Sequence, residues 1–190
     1  EVGIPILTLY AFSTENWQRP QSEIDALMGL LRKFLETERG ELAAKNIRLN
    51  AIGQVERLPG DVRRALSETM AFTQANDGLL LNLALSYGGR DDILQAVRRI
   101  AEKVRDGLLQ PQEITGDTLG AHLYTGRIPD PDLLIRTSGA MRVSNFLLWQ
   151  IAYAEIFVTP TLWPDFGEEE FLDILRDYQH RERRFGNVHR

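Results

Sequence analysis

Asp130-Pro-Asp-Leu-Leu-Ile-Arg-Thr-Ser-Gly-Ala-Met-Arg-Val-Ser-Asn-Phe-Leu-Leu-Trp149 is the stretch of this 190-residue chain that decides its fold class. Its apolar run begins at Leu133, directly after an Asp-Pro-Asp turn signal, and predicts a buried strand. Ser144 stands just before the apolar Phe146 and predicts the N-cap of a helix. The small-residue turn between them starts at Arg136 and can present its backbone amides outward. The stretch therefore predicts a strand, a turn and a helix in succession.

Strands and helices alternate in the same way along the rest of the chain. Nearly continuous apolar runs at 4–12 and 79–85, and an alternating run at 47–51, predict three further strands. Helical spacing of apolar residues predicts helices that start near Ser22, Leu58, Ile93 and Thr118, and a last helix from Glu168 to Arg184. This alternation predicts an α/β fold with a mainly parallel sheet flanked by helices, in a single domain over residues 1–190.

The composition excludes several classes of protein. Apolar residues make up 43% and charged residues 26%, the balance of a globular protein, and the net charge of −5 argues against nucleic acid as the main partner. The chain has no cysteine, which excludes disulfides and thiolate chemistry and is compatible with a reducing cytoplasm. No apolar run approaches the roughly 20 residues of a membrane span, so we expect only peripheral membrane contact. The chain opens inside a predicted strand without a methionine, as a part of a longer protein would.

The polar segments that directly follow the strands, called strand exits below, predict a binding site. Ligands of parallel α/β sheets bind outside the carboxyl ends of the strands, and the strands ending near Phe12, Leu85 and Ile135 all run into polar segments rich in Ser or Gly. After the third of these strands, the guanidinium groups of Arg136 and Arg142 flank the predicted helix N-terminus. That arrangement suits a phosphate or diphosphate. The alternative is that both arginines pair with surface carboxylates.

The segment from Arg136 to Gln150, continued by Ala152-Tyr-Ala-Glu155 and Leu162-Trp-Pro-Asp-Phe166, closely resembles a signature of the cis-prenyltransferases, the undecaprenyl diphosphate synthase family. The resemblance implies a transferase that condenses isopentenyl diphosphate with an allylic diphosphate, with cis geometry, to make a polyprenyl diphosphate carrier lipid for cell-wall or glycan synthesis. A catalytically silent partner subunit of the same fold is the alternative. A generic nucleotide-binding module is a weaker one, since the chain has no Gly-x-Gly-x-x-Gly fingerprint.

The resemblance also implies roles for individual residues. The loop from Phe12 to Glu23 is similar to the family motif Phe-Ser-x-Glu-Asn-Trp-x-Arg-Pro, in which Ser13 and Asn16 would be catalytic and position the allylic substrate. Glu155 would be a ligand of Mg²⁺, the implied cofactor. The implied substrate-binding residues are Phe12, Trp17, Arg19, Glu23, Arg136, Arg142, Ser144, Arg184 and Gly186. Without the resemblance, Trp17 could equally be a core lid and Glu155 a solvated carboxylate.

Two further motifs match the family. The segment from Asn82 to Arg90 is similar to its Tyr-Gly-Gly-Arg motif, although Asp91 and Asp92 there are better explained as partners of a helix dipole. Arg184-Phe-Gly186 is similar to a terminal Arg-x-Gly motif that reaches the partner's site in a homodimer, and the resemblance therefore implies a homodimer.

The chain departs from the family pattern at two places. Family members begin with a strand that leads into Met-Asp-Gly-Asn-Gly-Arg-Trp-Ala, and these 190 residues contain no such segment. We therefore expect the first strand and helix to be absent from this chain and the chain as written to be inactive by itself. The family has Glu after Ser-Gly where this chain has Ala140, which removes an acceptor that could orient Arg142.

Overall fold

The computed structural model describes residues 3–126 and 128–181, which divide into two compact units, Glu1–Gly126 and Arg127–Arg190. The strands are β1 Ile6–Ser13, β2 Arg48–Ile52, β3 Leu80–Tyr87, β4 Leu133–Arg136 and β5 Glu155–Val158. The helices are α1 Gln21–Thr37, α2 Arg39–Ala44, α3 Gly60–Phe72, α4 Gly89–Arg105, α5 Gly116–His122 and α6 Glu168–Gln179. The prediction of alternating strands and helices is confirmed, whereas the single domain stays a prediction.

The first unit is built on a three-stranded parallel sheet with the order β1-β3-β2. All eight residues of the central strand β3 are buried, as its near-continuous apolar sequence predicts. One face of the sheet packs against α1 and α3 through a cluster of buried aliphatic side chains, among them Leu35, Val62 and Leu85. Because the three strands are parallel, all three release the chain at the same edge of this sheet.

A row of polar side chains crosses this sheet within its apolar surroundings. Asn82 of β3 is fully buried and lies in register with Thr8 of β1 and Asn50 of β2. The Asn50 amide donates to Asn82 Oδ1 at 2.7 Å, and the Asn82 amide donates to Thr8 Oγ1 at 3.3 Å. The row therefore joins all three strands through side chains as well as through their backbones.

The second unit contains the two-stranded parallel sheet β4-β5 and helix α6. Thr159, directly after β5, donates its hydroxyl to the carboxylate of Glu170 on α6. Phe166 stacks on Trp163 and meets the edge of Phe171 on α6, with ring centroids 6.3 and 6.4 Å apart. Among the described residues of this unit, the segment after β5 thus contacts α6 through this hydrogen bond and a small aromatic cluster.

Local predictions from the sequence are wrong at several places. Strand β4 was predicted to be buried, whereas each of its four residues is only partly buried. The segment after Ser144 forms consecutive turns and no regular helix, because Ser144, Asn145 and Leu147 all have positive φ, from 45° to 61°, which a right-handed helix does not accommodate. Helix α1 begins at Gln21, so Ser22, a possible helix cap in the sequence, lies inside the helix and does not cap it. The last helix ends at Gln179 instead of extending to Arg184.

No helix in the described part of the chain is both long enough and apolar enough to cross a bilayer.

Candidate active site

The carboxyl edge of the first sheet gathers three segments of chain. The exits of β1 and β3 are neighbours, with Ser13 in register with Tyr87, so the predicted convergence of these two exits is confirmed. The exit of β2, Gly53 to Arg57, lies at the same edge because β2 is the other neighbour of β3. The third exit predicted from the sequence, which begins at Arg136, follows β4 of the separate two-stranded sheet.

Ser13 and Asn16, the predicted catalytic pair, fix the shape of the loop after β1. A short 3-10 helix spans Thr14–Gln18, and the Ser13 backbone amide donates to Asn16 Oδ1 at 2.8 Å. The Asn16 carbonyl oxygen in turn accepts from the Arg19 amide at 3.1 Å. Asn16 therefore stabilises both ends of the short helix. The structure brings the two predicted catalytic residues into direct contact.

Trp17 packs against the core and also lies at the carboxyl edge of the first sheet, called the rim below. Its ring is partly buried against the core and meets the buried Phe12 edge-on, with centroids 4.9 Å apart. Its indole nitrogen donates to Ser86 Oγ, at the end of β3, at 2.9 Å. The Arg57 guanidinium carbon lies 5.3 Å from its ring centroid. Trp17 thus packs on the core, with Phe12 beneath it, and also lies at the rim. Its role in substrate binding stays a prediction.

Arg19 and Glu23 form an ion pair of 2.7 Å across one helical turn. Both side chains are about half exposed, so the pair contributes only about 0.3–0.5 kcal/mol to stability. The carboxylate of Glu23 holds Arg19 beside the start of α1, where the rest of the guanidinium stays accessible to an anion. The sequence prediction placed these two residues in one loop, whereas the structure places Arg19 in the loop and Glu23 in the first turn of α1, in contact with each other.

Ser86 and Tyr87 form an ordered exit from β3. Ser86 is fully buried with φ of +48°, and its carbonyl oxygen accepts from the Gln54 amide at 3.2 Å. The Tyr87 hydroxyl donates to buried Asp92 at 3.0 Å, and the other Asp92 oxygen accepts from the Tyr124 amide at 2.7 Å. Asp92 lies in the first turn of α4, as predicted, but its carboxylate also binds these neighbours. It is therefore a structural residue of the rim.

Tyr10 lies three residues before the end of β1, and its hydroxyl donates to the Tyr87 carbonyl oxygen at 3.2 Å. Burial, reinforced by the negative charge of Glu15, raises the pKa of Tyr10 to about 12. The phenol therefore stays protonated at neutral pH and acts as a hydrogen-bond donor.

In the second unit, Arg136 ends β4 and carries an unsatisfied donor. Its Nε is buried and has no hydrogen-bond partner within the described residues. A buried guanidinium N–H without an acceptor is costly, since it loses its water and gains nothing in return. No carboxylate forms an ion pair with Arg136 or Arg142 within residues 3–126 and 128–181, so the pairing with surface carboxylates that would explain them as ordinary surface arginines is not observed there.

The turn after Arg136 does not present its amides as predicted. The amides of Ser138 and Gly139 donate to the carbonyl oxygens of Thr161 and Thr159, each at 2.8 Å. Both turn residues have φ of +69°. These two amides are therefore taken by the segment after β5, and the anion-binding capacity of this exit rests on side chains. Arg142 and Ser144 are both exposed and follow in the turns described above.

Glu155 begins β5 and is the predicted metal ligand. Its Oε2 accepts from Arg181 at 2.8 Å, and its side chain is 30% exposed. The described residues contain no group of three His, Cys, Asp or Glu side chains that could hold a metal ion. A single carboxylate fits one ligand position of Mg²⁺, which commonly takes the others from substrate phosphates and water. The two remaining predicted residues, Arg184 and Gly186, lie outside the described residues.

Arg57 is the rim residue that the sequence analysis missed. It ends a short 3-10 helix, Val55–Arg57, directly after β2. Three strand exits were considered from the sequence, and this one was not, although β2 was predicted as a strand ending at Gly53. A parallel neighbour of β3 must release its chain at the same edge, so the strand order alone could have found it.

The comparisons with known proteins agree with this fold. The family model for undecaprenyl diphosphate synthase matches residues 1–186. An isoprenyl transferase from Geobacillus kaustophilus is 52% identical over 188 residues, which cover 99% of this chain and 73% of the relative. An isoprenyl transferase from Chlorobaculum tepidum is also 52% identical, over 99% of this chain and 71% of its own length.

Solved structures give the same result. A lavandulyl diphosphate synthase from Lavandula x intermedia, in complex with dimethylallyl diphosphate, has a TM-score of 0.95 and 44% identity and covers 97% of this chain and 80% of its own. "A probable undecaprenyl diphosphate synthase" from Campylobacter jejuni has a TM-score of 0.86 and 41% identity, over 96% of this chain and 84% of its own. The chain belongs to the cis-prenyltransferase family and is a transferase of that class.

Proposed function

We propose that the protein condenses isopentenyl diphosphate with an allylic diphosphate to form a cis-polyprenyl diphosphate that serves as a carrier lipid in cell-wall or glycan synthesis. The buried Nε of Arg136, which has no partner among the described residues, carries this proposal, because it is a donor prepared for an anion. The relatives named isoprenyl transferase support the reaction class. The complex of lavandulyl diphosphate synthase with dimethylallyl diphosphate supports an allylic diphosphate as a ligand of this fold.

Arg136, Arg142 and Ser144 are the proposed diphosphate-binding residues of the second unit. A guanidinium keeps its charge at every physiological pH and offers forked donors that match two phosphate oxygens. Binding a diphosphate oxygen would satisfy the Arg136 Nε donor, for which the described part of the chain offers no acceptor. Arg142 would add a second charge from an exposed turn, and the Ser144 hydroxyl would donate one further bond. These fixed charges stabilise negative charge without covalent chemistry.

The loop after β1 is the proposed site of the allylic substrate. Phe12 and Trp17 offer apolar ring surface for the hydrocarbon, while Arg19, held by Glu23, offers a charge for a phosphate. Ser13 and Asn16 would position the reacting allylic group and handle its proton, because they stand together at the end of β1.

Glu155 is the proposed protein ligand of Mg²⁺. Bound beside a diphosphate, the ion would neutralise negative charge on the departing group. Arg181 occupies the same carboxylate and must give up its bond for Glu155 to take this role.

We further propose a homodimer, in which Arg184 and Gly186 serve the partner's site, and peripheral contact with a membrane through the lipid product. The second candidate function is a catalytically silent partner subunit, which Ala140 favours because it lacks the carboxylate that would orient Arg142. Sedimentation velocity at micromolar concentration tests the dimer, and a monomer there would contradict it.

A condensation assay with radiolabelled isopentenyl diphosphate tests the function, using the enzyme with its native termini. We expect chain elongation with cis double bonds, identified by NMR of the product. Arg136→Met should lower the rate about 10²–10³-fold, the usual effect of removing one preorganised charge contact. Arg105→Met is the matched control, because Arg105 is an exposed arginine of α4 paired with Asp106. Trans product, or no product from the native enzyme, would overturn the proposal.

A further inference from the structure

Arg57 contacts the face of Trp17 at the carboxyl edge of the first sheet. Its guanidinium carbon lies 5.3 Å from the centroid of the indole ring, within the range of a cation–π interaction. The two residues belong to different strand exits, since Trp17 follows β1 and Arg57 follows β2. Neither composition nor the family signature assigned a role to Arg57.

Trp17 is contacted by one residue from each of the three strands or the segments that follow them. Phe12 from β1 meets its ring edge-on at 4.9 Å, and Ser86 from β3 accepts its indole N–H at 2.9 Å. The hydrogen bond holds the indole at its nitrogen, and the Phe12 contact limits the tilt of the ring on the core side. Arg57 contacts the ring through its π system, and its contact therefore opposes the tilt.

The Arg57 guanidinium is oriented by a hydrogen bond but has no ion-pair partner among the described residues. Its NH1 donates to the neutral side-chain oxygen of Gln54 at 3.0 Å. No Asp or Glu side chain in the described ranges forms an ion pair with Arg57. A neutral acceptor orients the guanidinium without competing electrostatically for it, so the cation remains available to the indole.

We propose that Arg57 is a positioning residue that sets the orientation of Trp17 and, through it, the affinity of the enzyme for the hydrocarbon of the allylic substrate. The kinetic part rests on the proposed role of Trp17 in the allylic site. A tryptophan tilted from its position would present a different apolar surface to the isoprenoid and leave the diphosphate contacts unchanged. The affected quantity is therefore the KM for the allylic diphosphate, more than kcat or the KM for isopentenyl diphosphate.

The kinetic experiment compares Arg57→Met, Arg57→Lys and Arg64→Met in the enzyme with its native termini. Arg57→Met should raise the allylic KM about two- to fivefold, the range expected for an exposed cation–π contact. Arg57→Lys keeps a cation and should restore part of the loss, while Arg64→Met, at an exposed position of α3, should change nothing. Changes confined to kcat or to the KM for isopentenyl diphosphate would overturn the proposal.

Combining Arg57→Met with Trp17→Leu separates positioning from direct substrate binding. If Arg57 acts through Trp17, its substitution has no further effect on the allylic KM once the indole is gone. A full additional increase in the double variant would mean that Arg57 binds substrate itself and would overturn the proposal.

Fluorine NMR of enzyme labelled with 5-fluorotryptophan tests the positioning without substrate or turnover. The Trp17 resonance is assigned by its loss in Trp17→Phe. Arg57→Met should shift and broaden that resonance, Arg57→Lys should do so less, and Arg64→Met should leave it unchanged. An unchanged resonance in Arg57→Met would overturn the positioning role. A changed resonance combined with unaltered allylic KM in Trp17→Leu would instead contradict the proposed allylic role of Trp17, and with it the kinetic part of this inference.

Discussion

Arg181 donates to Glu155 Oε2 at 2.8 Å while its guanidinium carbon lies 3.9 Å from the ring centroid of Phe157. Glu155 and Phe157 are alternate residues of β5, so their side chains leave the same face of the strand. The arginine thus bonds the carboxylate and covers the ring at the same time. The predicted metal ligand already has a cationic partner within its own unit.

Removing that partner should strengthen cation binding at Glu155. An exposed ion pair contributes about 0.2–1 kcal/mol, so Arg181→Met should raise the affinity for Mn²⁺ by up to about fivefold. Mn²⁺ is the probe because its free and bound forms are distinguished by electron paramagnetic resonance. The control is Arg176→Met, since Arg176 lies on α6 and pairs with exposed Asp173. Equal Mn²⁺ affinity in wild type and Arg181→Met would show that the arginine does not compete for the carboxylate.

Arg142→Ala should weaken the binding of isopentenyl diphosphate. Its charge-assisted hydrogen bonds are each about twice as strong as neutral ones, so we expect a loss of roughly 1.5–3 kcal/mol. Titration calorimetry of the purified protein measures this loss directly. Arg105→Ala should bind as the wild type does, and an Arg142→Ala protein that also does so would remove Arg142 from the proposed site.

Gly53→Ala should destabilise the first unit. Gly53 has φ of +110°, and a Cβ there would lie 2.2 Å from the Leu85 carbonyl oxygen, a backbone atom that cannot move aside. Strained backbone of this kind costs about 1–3 kcal/mol, and the clash adds to it. Gly29→Ala is the matched control, because Gly29 is exposed on α1 with open space around it.

Urea unfolding measures both glycine variants. The helix propensity of alanine predicts that Gly29→Ala stabilises the protein by up to about 1 kcal/mol. A Gly53→Ala protein as stable as wild type would mean that the segment after β2 can rearrange to accept the Cβ without lowering the free energy of unfolding.

Tyr10→Phe should reduce the loss of stability at alkaline pH. Burial raises the pKa of Tyr10 from 10.0 to about 12, so between these values the unfolded chain releases a proton that the folded chain retains. The stabilisation from Tyr10 is therefore complete below pH 10 and is lost as the pH rises towards 12. Thermal unfolding across that interval should show a shallower decline for Tyr10→Phe.

The sequence predicted the features that depend on local pattern and missed those that depend on neighbours distant in the chain. Strand β3 was predictable because its apolar residues are continuous, and the Phe12–Glu23 loop because its motif is unbroken. Ser144 was misjudged because serine suits both a helix N-cap and a left-handed turn. The Ser138 amide was wrongly predicted to face outward, because its acceptor, the Thr161 carbonyl oxygen, lies on the segment that follows another strand. Arg57 was missed because its role requires the strand order.

The buried row of Thr8, Asn82 and Asn50 has a consequence for the fidelity of strand pairing. Strand β3 is apolar on both faces, so sliding it by two residues against a neighbour would return every side chain to its original face and would leave the hydrophobic pattern satisfied. Asn82 would then stand level with Ile6 or Tyr10 on the side of β1, or with Arg48 or Ile52 on the side of β2, and would lose its bond to Thr8 or Asn50. An unsatisfied buried amide costs about 1–3 kcal/mol for each partner lost. Asn82 thus distinguishes the native alignment from one that hydrophobicity alone would accept. By fixing that alignment, it also determines which residues stand level at the ends of the strands, four positions further along β3, where Ser86 meets Trp17.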